Sequence, residues 1–295
     1  MTAVKKLDKN LSVQTIFEYQ DIELSRKTYE LFAKKMYDLA GVDLPFSAKN
    51  HALLRNRLIK VLRRRGLGNY EEYWERLNDG NQEMISEFVS ALTTNMTSFF
   101  RESAHFDFLA KVLPEMAQKT SDLRLWCAAS STGQEPYTIA MTVRENLSES
   151  QIAKTKILAT DIDEEVLKKA SIGIYEERDM QGLNANLRQK YFLKVKSADK
   201  RSVEDRFQAN DVLHKMIRYA PFNLMNEKYV FQSKFHLIFC RNVLIYFDES
   251  TTKKVINNLV SVLAPGGYLI LGHSESGNVK HSELKPLSRA IYQKL

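Results

Sequence analysis

The sequence predicts an α/β protein in which a small all-helical region precedes a doubly wound parallel sheet. Up to about residue 90, apolar residues recur at helical spacing and do not alternate with period 2 for long. After Arg101, short apolar runs alternate with segments of helical period, which is typical of a parallel sheet covered by helices. The runs are apolar almost without interruption, as expected of strands that are buried on both faces.

The helical region is expected to hold four helices around a core of their own. We assign Tyr29, Phe32 and Leu54 to that core, because apolar side chains at helical spacing usually pack together rather than bind a ligand. Gly66 and Gly68 are expected to end the second helix. The predicted helices span residues 26–40, 48–65, 70–78 and 81–93.

The α/β region contains one stretch that does not fit the alternation. Residues 188–220 are polar and carry nine Lys and Arg against four acids. We expect an inserted small β-subdomain there, with short strands in RFQAND and HKMIRYAPF. The predicted domains are therefore 1–90, all-helical, and 91–295, α/β, with the insertion at 188–220. Strands are predicted at 123–130, 154–163, 235–242 and 267–275, with a final edge strand at 288–295, and helices at 135–147, 164–175 and 249–263.

Composition excludes several classes of protein. The 295 residues include 43 Lys and Arg against 36 Asp and Glu, and this net charge of +7 favours an acidic partner. Cys127 and Cys240 are too few and too far apart for a disulfide scaffold or a zinc cluster, and they suit a reducing compartment. The first residues lack the apolar stretch of a signal peptide, and no apolar run approaches the roughly 20 residues of a membrane span. We therefore expect a cytoplasmic protein.

The turn after the first predicted strand indicates the kind of ligand that the sheet binds. The turn runs from Ala128 to Glu135 and contains one glycine, Gly133, so both the G-x-G-x-x-G fingerprint and the P-loop are absent. Glu135 would repel a phosphate, and a ligand with a positive end fits this turn better than an anionic one. The function predicted here is binding of a nucleoside that carries a cation and no phosphate.

The second predicted strand ends in two acids, Asp161 and Asp163. Because an acid at this position can accept hydrogen bonds from ribose hydroxyls, we assign Asp161 to a ribose and Asp163 to the cap of the next helix. S-adenosylmethionine has a ribose, an amino-acid tail and a cationic sulfonium and lacks phosphate. It therefore suits this pattern better than NAD does.

Six motifs in order along the chain carry a specific resemblance. They are TTNMTSFFRE (93–102), AASSTGQEPYTIA (128–140), ATDID (159–163), APFNLM (220–225), FCRNVLIYF (239–247) and GGYLILGHSE (266–275). In residue type, order and spacing they resemble the chemotaxis receptor methyltransferases, the CheR family. The resemblance covers nearly the whole chain, including the helical region. Gln134 is a departure, since a second acid is common before the position of Glu135 in that family.

The resemblance implies a Rossmann-like methyltransferase domain that uses S-adenosyl-L-methionine and releases S-adenosyl-L-homocysteine. It implies Arg101 and Tyr246 as catalytic residues, although Arg101 could instead hold the cofactor. Asn95 and Thr97 could alternatively cap a helix that begins at Ser98, and Asn223 could be a turn residue. The implied cofactor-binding residues are Asn95, Thr97, Arg101, Glu135, Asp161, Asn223, Leu224, Arg241 and Asn242. No metal is expected, because methyl transfer needs none and His273 has no second histidine near it in the sequence.

The implied reaction esterifies glutamate side chains on the cytoplasmic domain of methyl-accepting chemoreceptors. A glutamate has an ordinary pKa of about 4.3, so it is already a nucleophile at neutral pH. The enzyme must then supply alignment, which is worth about 7–11 kcal/mol in favourable cases. Arg101 and Tyr246 are our candidates for that alignment.

Two basic elements are candidates for receptor docking. Residues 49–65 contain seven Lys and Arg and no acid, and Arg57, Lys60, Arg63 and Arg64 share one arc of the predicted helix. This arc either docks an acidic receptor helix or is a solvated helix face. For the insertion at 188–220 the resemblance implies a second possibility, since in some members of the CheR family this subdomain grips a C-terminal receptor peptide by adding a strand to a sheet edge.

Two other functions share these features. A nucleic-acid methyltransferase would suit the basic helix, but the Asn242–Tyr246 segment lacks the prolines of the amino-group methyltransferases, and no aromatic and basic strand pattern is evident. The third possibility is a non-catalytic sensor that binds S-adenosylmethionine. We expect neither a nucleic-acid partner nor direct membrane insertion.

Overall fold

The computed structural model describes residues 22–196 and 205–295. The N-terminal residues, for which no signal peptide is predicted, lie outside the described ranges. Part of the predicted insertion at 188–220 also lies outside them. The described chain forms two compact units, one of residues 22–38 and 44–92 and one of residues 39–43, 93–196 and 205–295. None of the helices within the described ranges could serve as a membrane span, since each is too short or too polar.

The first unit is helical, and its helices lie where the sequence predicts them. Ser47 caps the second helix by accepting a hydrogen bond from the Asn50 amide, and Gly66 ends it in the left-handed conformation that glycine adopts readily. Phe32 lies in the core, with its ring centroid 5.7 Å from that of Tyr73 and 5.8 Å from that of Phe88. The helices are α1 (Arg26–Ala40), α2 (Ala48–Arg65), α3 (Tyr70–Asn78) and α4 (Gln82–Leu92).

The second unit is built on a seven-stranded sheet with the order β6-β2-β1-β7-β8-β10-β9. The first five strands in this order are parallel, and the last two pairings are antiparallel. The strands are β1 (Leu123–Cys127), β2 (Thr155–Asp161), β6 (Ile217–Pro221), β7 (Phe235–Cys240), β8 (Leu263–Leu271), β9 (Leu284–Ser288) and β10 (Ile291–Lys294).

The end of the chain differs from the prediction in one respect. The final strand forms, but it lies between β8 and β9, so β9 is the edge and the prediction of a final edge strand is wrong. The two-residue connection Arg289–Ala290 reverses the chain so that β10 pairs antiparallel with β9, and the other side of β10 pairs with β8.

A second, antiparallel sheet of three strands has the order β3-β5-β4. Its strands are β3 (Ile174–Glu176), β4 (Phe192–Val195) and β5 (Arg206–Ala209). This sheet begins before residue 188, and the second strand predicted within 188–220 is β6 of the large sheet. The predicted range therefore does not coincide with the small sheet, because β6 pairs in parallel with β2.

Helices of the second unit cover the large sheet on both faces. Along β1, Leu125 and Cys127 join one hydrophobic cluster and Trp126 joins the other, so successive side chains are buried on opposite faces. This alternation confirms the expectation that uninterrupted apolar runs are strands buried on two sides. The helices are α5 (Ala104–Lys119), α6 (Gln134–Asn146), α7 (Glu149–Ile152), α8 (Glu164–Ile172), α9 (Ala185–Tyr191), α10 (Asp211–His214) and α11 (Glu249–Val262).

Candidate active site

The carboxyl ends of β1, β2 and β7 meet at one edge of the large sheet, where α/β proteins usually bind ligands. After β1 the chain turns sharply into α6, with a positive φ of 48° at Ser131 and 100° at Gly133. A Cβ at residue 133 would lie 2.7 Å from the Tyr175 hydroxyl and 2.9 Å from the Ala170 Cβ. Glycine is therefore required there by both backbone conformation and space.

The two acids after β2 have different tasks. Asp161 accepts a hydrogen bond from the Ser131 amide at 2.8 Å and one from the Asp163 amide at 3.1 Å. Burial raises the pKa of Asp161 from 3.8 to about 6 despite these bonds. Asp163 caps α8 by accepting from the amides of Glu165 and Val166, which confirms the predicted cap. The assignment of Asp161 to a ribose stays a prediction.

The segment after Thr93 is tied to the same edge. Asp163 Oδ2 also accepts from Thr93 Oγ1 at 3.1 Å and from Asn95 Nδ2 at 3.0 Å. The Asn95 carbonyl accepts from Ser131 Oγ at 3.2 Å. Thr97 lies two residues further on and is half-buried. The alternative of a helix cap at Ser98 is wrong, because α5 begins only at Ala104.

A buried arginine organises the middle of the edge. The Arg241 side chain is fully buried and donates from Nη1 to Glu135 Oε2 at 2.6 Å. Its Nη2 lies 3.1 Å from Glu102 Oε2 and donates to the Arg101 carbonyl at 2.5 Å. Burial alone would lower the pKa of Arg241, but the two carboxylates outweigh it and raise the pKa above its usual value. Arg241 therefore stays charged and connects three distant chain segments.

Glu135 has both oxygens engaged. Oε2 receives Arg241, and Oε1 receives the Cys127 thiol at 3.1 Å. The Cys127 pKa is raised well above its ordinary value by burial and by the Glu135 carboxylate, so the thiol keeps its proton and donates. Glu135 is thus held at the start of α6 with an exposed fraction of 11%.

Arg101, Asn242 and Tyr246 are further predicted site residues. Arg101 is partly exposed and donates from Nη1 to the Met96 carbonyl at 2.8 Å. Asn242 Nδ2 lies 3.3 Å from Glu102 Oε1, and its backbone has a positive φ of 58°. Tyr246 ends a short 3₁₀ turn, Leu244–Tyr246, and is half-buried.

Asn223 and Leu224 lie in the loop after β6. Asn223 accepts from the Met225 amide at 2.8 Å and donates to the Leu39 carbonyl at 2.7 Å. These bonds fit the turn role that was one of its two possibilities. Leu224 is buried, and its carbonyl accepts from the Tyr229 hydroxyl at 2.8 Å. A cofactor role for either residue stays a prediction.

The donor set fits a cationic nucleoside. The edge holds the carboxylates of Glu102, Glu135, Asp161 and Asp163 against the single buried guanidinium of Arg241. This excess of negative charge suits a sulfonium and an ammonium and would repel a pyrophosphate. Asp161 presents a carboxylate at the end of β2, where a ribose would be bound.

Comparison with known proteins agrees with this chemistry. Residues 27–93 match the model of the CheR methyltransferase all-alpha domain, and residues 95–292 match that of the CheR methyltransferase SAM binding domain. The chain belongs to the CheR methyltransferase family. It is an S-adenosylmethionine-dependent methyltransferase with a helical domain and a Rossmann-like domain, as predicted.

Relatives of this CheR-family chain extend over almost its whole length. A chemotaxis protein methyltransferase of Borreliella burgdorferi is 39% identical over 93% of this chain and 96% of its own length. A chemotaxis protein methyltransferase of Escherichia coli is 36% identical over 89% of this chain and 88% of its own length. Among solved structures, the N-methyltransferase NodS of Bradyrhizobium japonicum with S-adenosyl-L-homocysteine is 15% identical, covers 59% of this chain and 62% of that one, and has a TM-score of 0.32. A similarity of that size carries no argument about function.

Sequence reasoning missed two acids of the site in this CheR-family chain. Glu102 ends the first quoted motif and was given no site role, yet it pairs with Arg241 and accepts from Asn242. Glu275 ends the last quoted motif, and it is buried with an exposed fraction of 7%. Both acids lie inside motifs quoted above, and this was the only signal for them in the sequence. Their role could not be predicted, because Glu102 contacts Arg241 and Glu275 contacts the backbone of residues 242–244, which are distant in the sequence.

In the sequence no histidine was found close to His273 along the chain, but the structure places one beside it. The His105 ring lies at a centroid distance of 4.8 Å from the His273 ring, so a second histidine is near it in space. Burial lowers the pKa of His105 to about 4, so it is neutral at pH 7. Glu102, His105 and His273 hold potential metal-ligand atoms within 4.8 Å of one another. Glu102 Oε2 already accepts from Arg241 and from the His273 amide, so this carboxylate fits an arginine better than a metal.

The basic helix of the first unit is less free than its sequence indicates. Lys60 and Arg64 are exposed, whereas Arg57 and Arg63 are half-buried, and Arg57 donates to the Leu92 carbonyl at 2.6 Å. Arg64 pairs with Glu87 of α4 at 2.7 Å. The acid-free count over residues 49–65 therefore overlooked a carboxylate supplied by a neighbouring helix.

Proposed function

We propose that this CheR-family methyltransferase esterifies glutamate side chains of chemoreceptors during sensory adaptation. The observation that supports this most strongly is the acidic, arginine-clamped sheet edge in a chain that matches both CheR domains. The names of the relatives, chemotaxis protein methyltransferase, indicate the pathway. The cytoplasmic domain of a methyl-accepting chemoreceptor is then the substrate.

The reaction moves one methyl group and no proton. When bound, S-adenosylmethionine supplies an electrophilic methyl carbon: the receptor carboxylate forms a C–O bond as the C–S bond breaks, and the electron pair stays on sulfur. The anion and the sulfonium become a neutral ester and a neutral thioether. Because charge disappears in this step, a site that excludes water favours it.

The residues of the chain have distinct tasks in this proposal. Glu135 receives the positive end of the amino-acid tail, and Asp161 receives the ribose hydroxyls. Arg101 and Tyr246 align the receptor carboxylate with the methyl group. Asn95, Thr97, Asn223, Leu224 and Asn242 line the cofactor site, whereas Arg241 acts through Glu135 and Glu102 because its side chain is fully buried.

One labelling experiment tests the proposed function. The protein is incubated with cofactor labelled in its methyl group and with either receptor-containing membranes or nucleic acid. Label that appears on the receptor and is released by mild base supports a glutamyl methyl ester. Base-stable label on nucleic acid would favour a nucleic-acid methyltransferase, and no label on either would favour a non-catalytic sensor.

The role of Arg101 is tested separately. Arg101→Ala is measured for cofactor affinity and for turnover. Lost turnover with unchanged affinity would assign Arg101 to the receptor carboxylate, and weakened affinity would assign it to the cofactor. Lys111→Ala, on the exposed surface of α5, is the control for removal of a cation.

We further propose two docking surfaces. The exposed cations of α2, with Lys60 and Arg64 foremost, meet the acidic receptor helix. The small sheet takes up a C-terminal receptor peptide as an added strand, and its order leaves β3 and β4 as edges. Calorimetry with such a peptide tests the second surface, and no heat at high peptide concentration would contradict it.

A further inference from the structure

Glu275 contacts the backbone of residues 242–244 and has no role in the methyl transfer proposed above. It follows β8, has an exposed fraction of 7%, and accepts hydrogen bonds from four backbone amides. Oε2 receives the amides of Asn242 at 2.9 Å and Gly272 at 2.5 Å. Oε1 receives those of Val243 at 2.8 Å and Leu244 at 2.7 Å. One buried carboxylate thus joins the loop after β7 to the loop after β8.

The loop that Glu275 holds is the one that carries Asn242 and Tyr246. Asn242 has a positive φ of 58°, in the left-handed region that asparagine adopts more readily than other residues with a side chain. Leu244 begins the 3₁₀ turn that ends at Tyr246, and its amide is one of the four donors. The carboxylate therefore both binds the amide of this left-handed residue and caps the turn.

The space around Gly272 shows how tightly this arrangement is built. A Cβ at residue 272 would lie 2.6 Å from Glu275 Oε2, 2.6 Å from Asn242 Nδ2 and 3.0 Å from the Asn242 backbone nitrogen. Any side chain at 272 would push Glu275 and Asn242 apart. Glycine is needed here for close approach rather than for a left-handed backbone.

We propose that Glu275 is a positioning residue for methyl transfer, which fixes the backbone of 242–244 so that Asn242 and Tyr246 are correctly placed. This inference rests on the proposed function. Glu275 touches neither substrate nor cofactor, and its effect passes through the backbone that it binds. Its loss lowers the rate of the chemical step in molecules that remain folded.

Two variants test the proposal in the full-length protein. Glu275→Gln keeps the shape of the side chain but replaces one oxygen by an amide NH₂, which faces two N–H groups and removes two of the four bonds. Gly272→Ala keeps the Glu275 side chain but displaces it, and the added methyl group also displaces Asn242, so this variant tests the packing of the two residues together. The matched controls are Glu283→Gln, a half-exposed acid 3.4 Å from Lys294, and Gly277→Ala, where an added Cβ meets open space.

The measurements are the thermal unfolding temperature, and kcat and KM with receptor-containing membranes. We expect each of the two variants to lose at least tenfold in kcat while KM for the receptor changes less than threefold, and the controls to match wild type. A role in stability alone would lower the unfolding temperature and leave kcat of the folded protein unchanged. If Glu275→Gln does not fold, Glu275→Asp decides, because it keeps the charge but is one methylene too short to reach all four amides.

If the folded variants have the same kcat as the wild-type protein, the positioning role of Glu275 is contradicted. This failure is distinguishable from failure of the proposed function. If the wild-type protein labels no receptor, the proposed function is contradicted. If the wild type is active and the variants are equally active, only the positioning role is contradicted.

Discussion

Arginines occupy two contrasting regions of this protein, the surface of α2 and the buried edge of the large sheet. On α2, Arg64 has an exposed fraction of 60% and shares Glu87 with Arg65. In the sheet edge, Arg241 is fully buried and lies between Glu102 and Glu135. Water screens the first charge, so it contributes little to folding and remains available to a partner. The second charge is essential to its surroundings, because its removal would leave two acids buried without a cation.

The largest effect is expected from removal of the buried charge. Arg241→Met should lower the free energy of unfolding by about 3–5 kcal/mol, because Glu102 and Glu135 then lose their cation. Arg64→Met should cost less than about 1 kcal/mol. Urea denaturation of both variants measures the difference, and similar losses would contradict the contrast between the regions. Adding Glu102→Gln to Arg241→Met should restore part of the stability.

The next effect is a pH dependence at the same edge. Since the pKa of Asp161 is raised from 3.8 to about 6, the carboxylate is neutral below pH 6 and ionised above it. Ribose hydroxyls donate more strongly to the ionised form, so the affinity for S-adenosylhomocysteine should fall as the pH drops below 6, by at most about tenfold for each pH unit. Calorimetry from pH 5 to 8 measures this. A slope that persists in Asp161→Asn would assign the titration to another group.

The raised pKa of Asp161 also makes the free energy of unfolding depend on pH, but in the opposite direction: cofactor affinity rises with pH, whereas the contribution to stability falls. A raised acid pKa means that the folded protein without ligand holds the Asp161 proton more tightly than the unfolded chain does. The contribution of Asp161 to stability is therefore present below its unfolded pKa of 3.8 and is lost as pH rises to about 6. Bound cofactor should reverse part of this loss.

A smaller effect concerns the thiol that touches Glu135. Cys127→Ala removes a buried sulfur and one hydrogen bond to a carboxylate, whereas Cys240→Ala removes a buried sulfur alone. The difference between the two variants should be about 1 kcal/mol in the free energy of unfolding. Equal losses in denaturation would show that the thiol contributes only packing.

The smallest effect is expected on the surface of α2. Lys60→Glu should reduce receptor methylation a few-fold at low salt, and the reduction should disappear as salt rises, because exposed charges are screened. Affinity for S-adenosylhomocysteine should stay unchanged. Lys253→Glu, an equal charge change on the exposed side of α11, is the control. A loss of the same size in both variants would contradict a specific docking face.

Local patterns predicted the elements well, because the features that set them lie within a few residues. The bounds of α1, α2 and α3 agree with their predicted ranges, and Asp163 caps α8 as expected. What the sequence could not show were contacts between distant segments. The pairing of Arg241 with Glu102 spans 139 positions in the numbering, and the acid that neutralises Arg64 comes from another helix.

The same limit explains the errors in topology. A short strand looks the same whether it joins a small sheet or a large one, so the strand at β6 was predicted within the insertion. The final strand was predicted at an edge, but it pairs with β8 on one side and with β9 on the other. Partner choice in a sheet depends on hydrogen bonds that no local pattern records.

The contacts of the Arg241 side chain with Glu102, Glu135 and the Arg101 carbonyl have a consequence for how the protein folds. Glu135 lies 106 residues before Arg241, and the Arg101 carbonyl lies 140 residues before it. Contacts of such separation require closure of long loops and are slow to form. During synthesis, both acids leave the ribosome well before their cation. The active site should therefore be among the last parts to consolidate, so recovery of cofactor binding after refolding reports on completion of the whole domain.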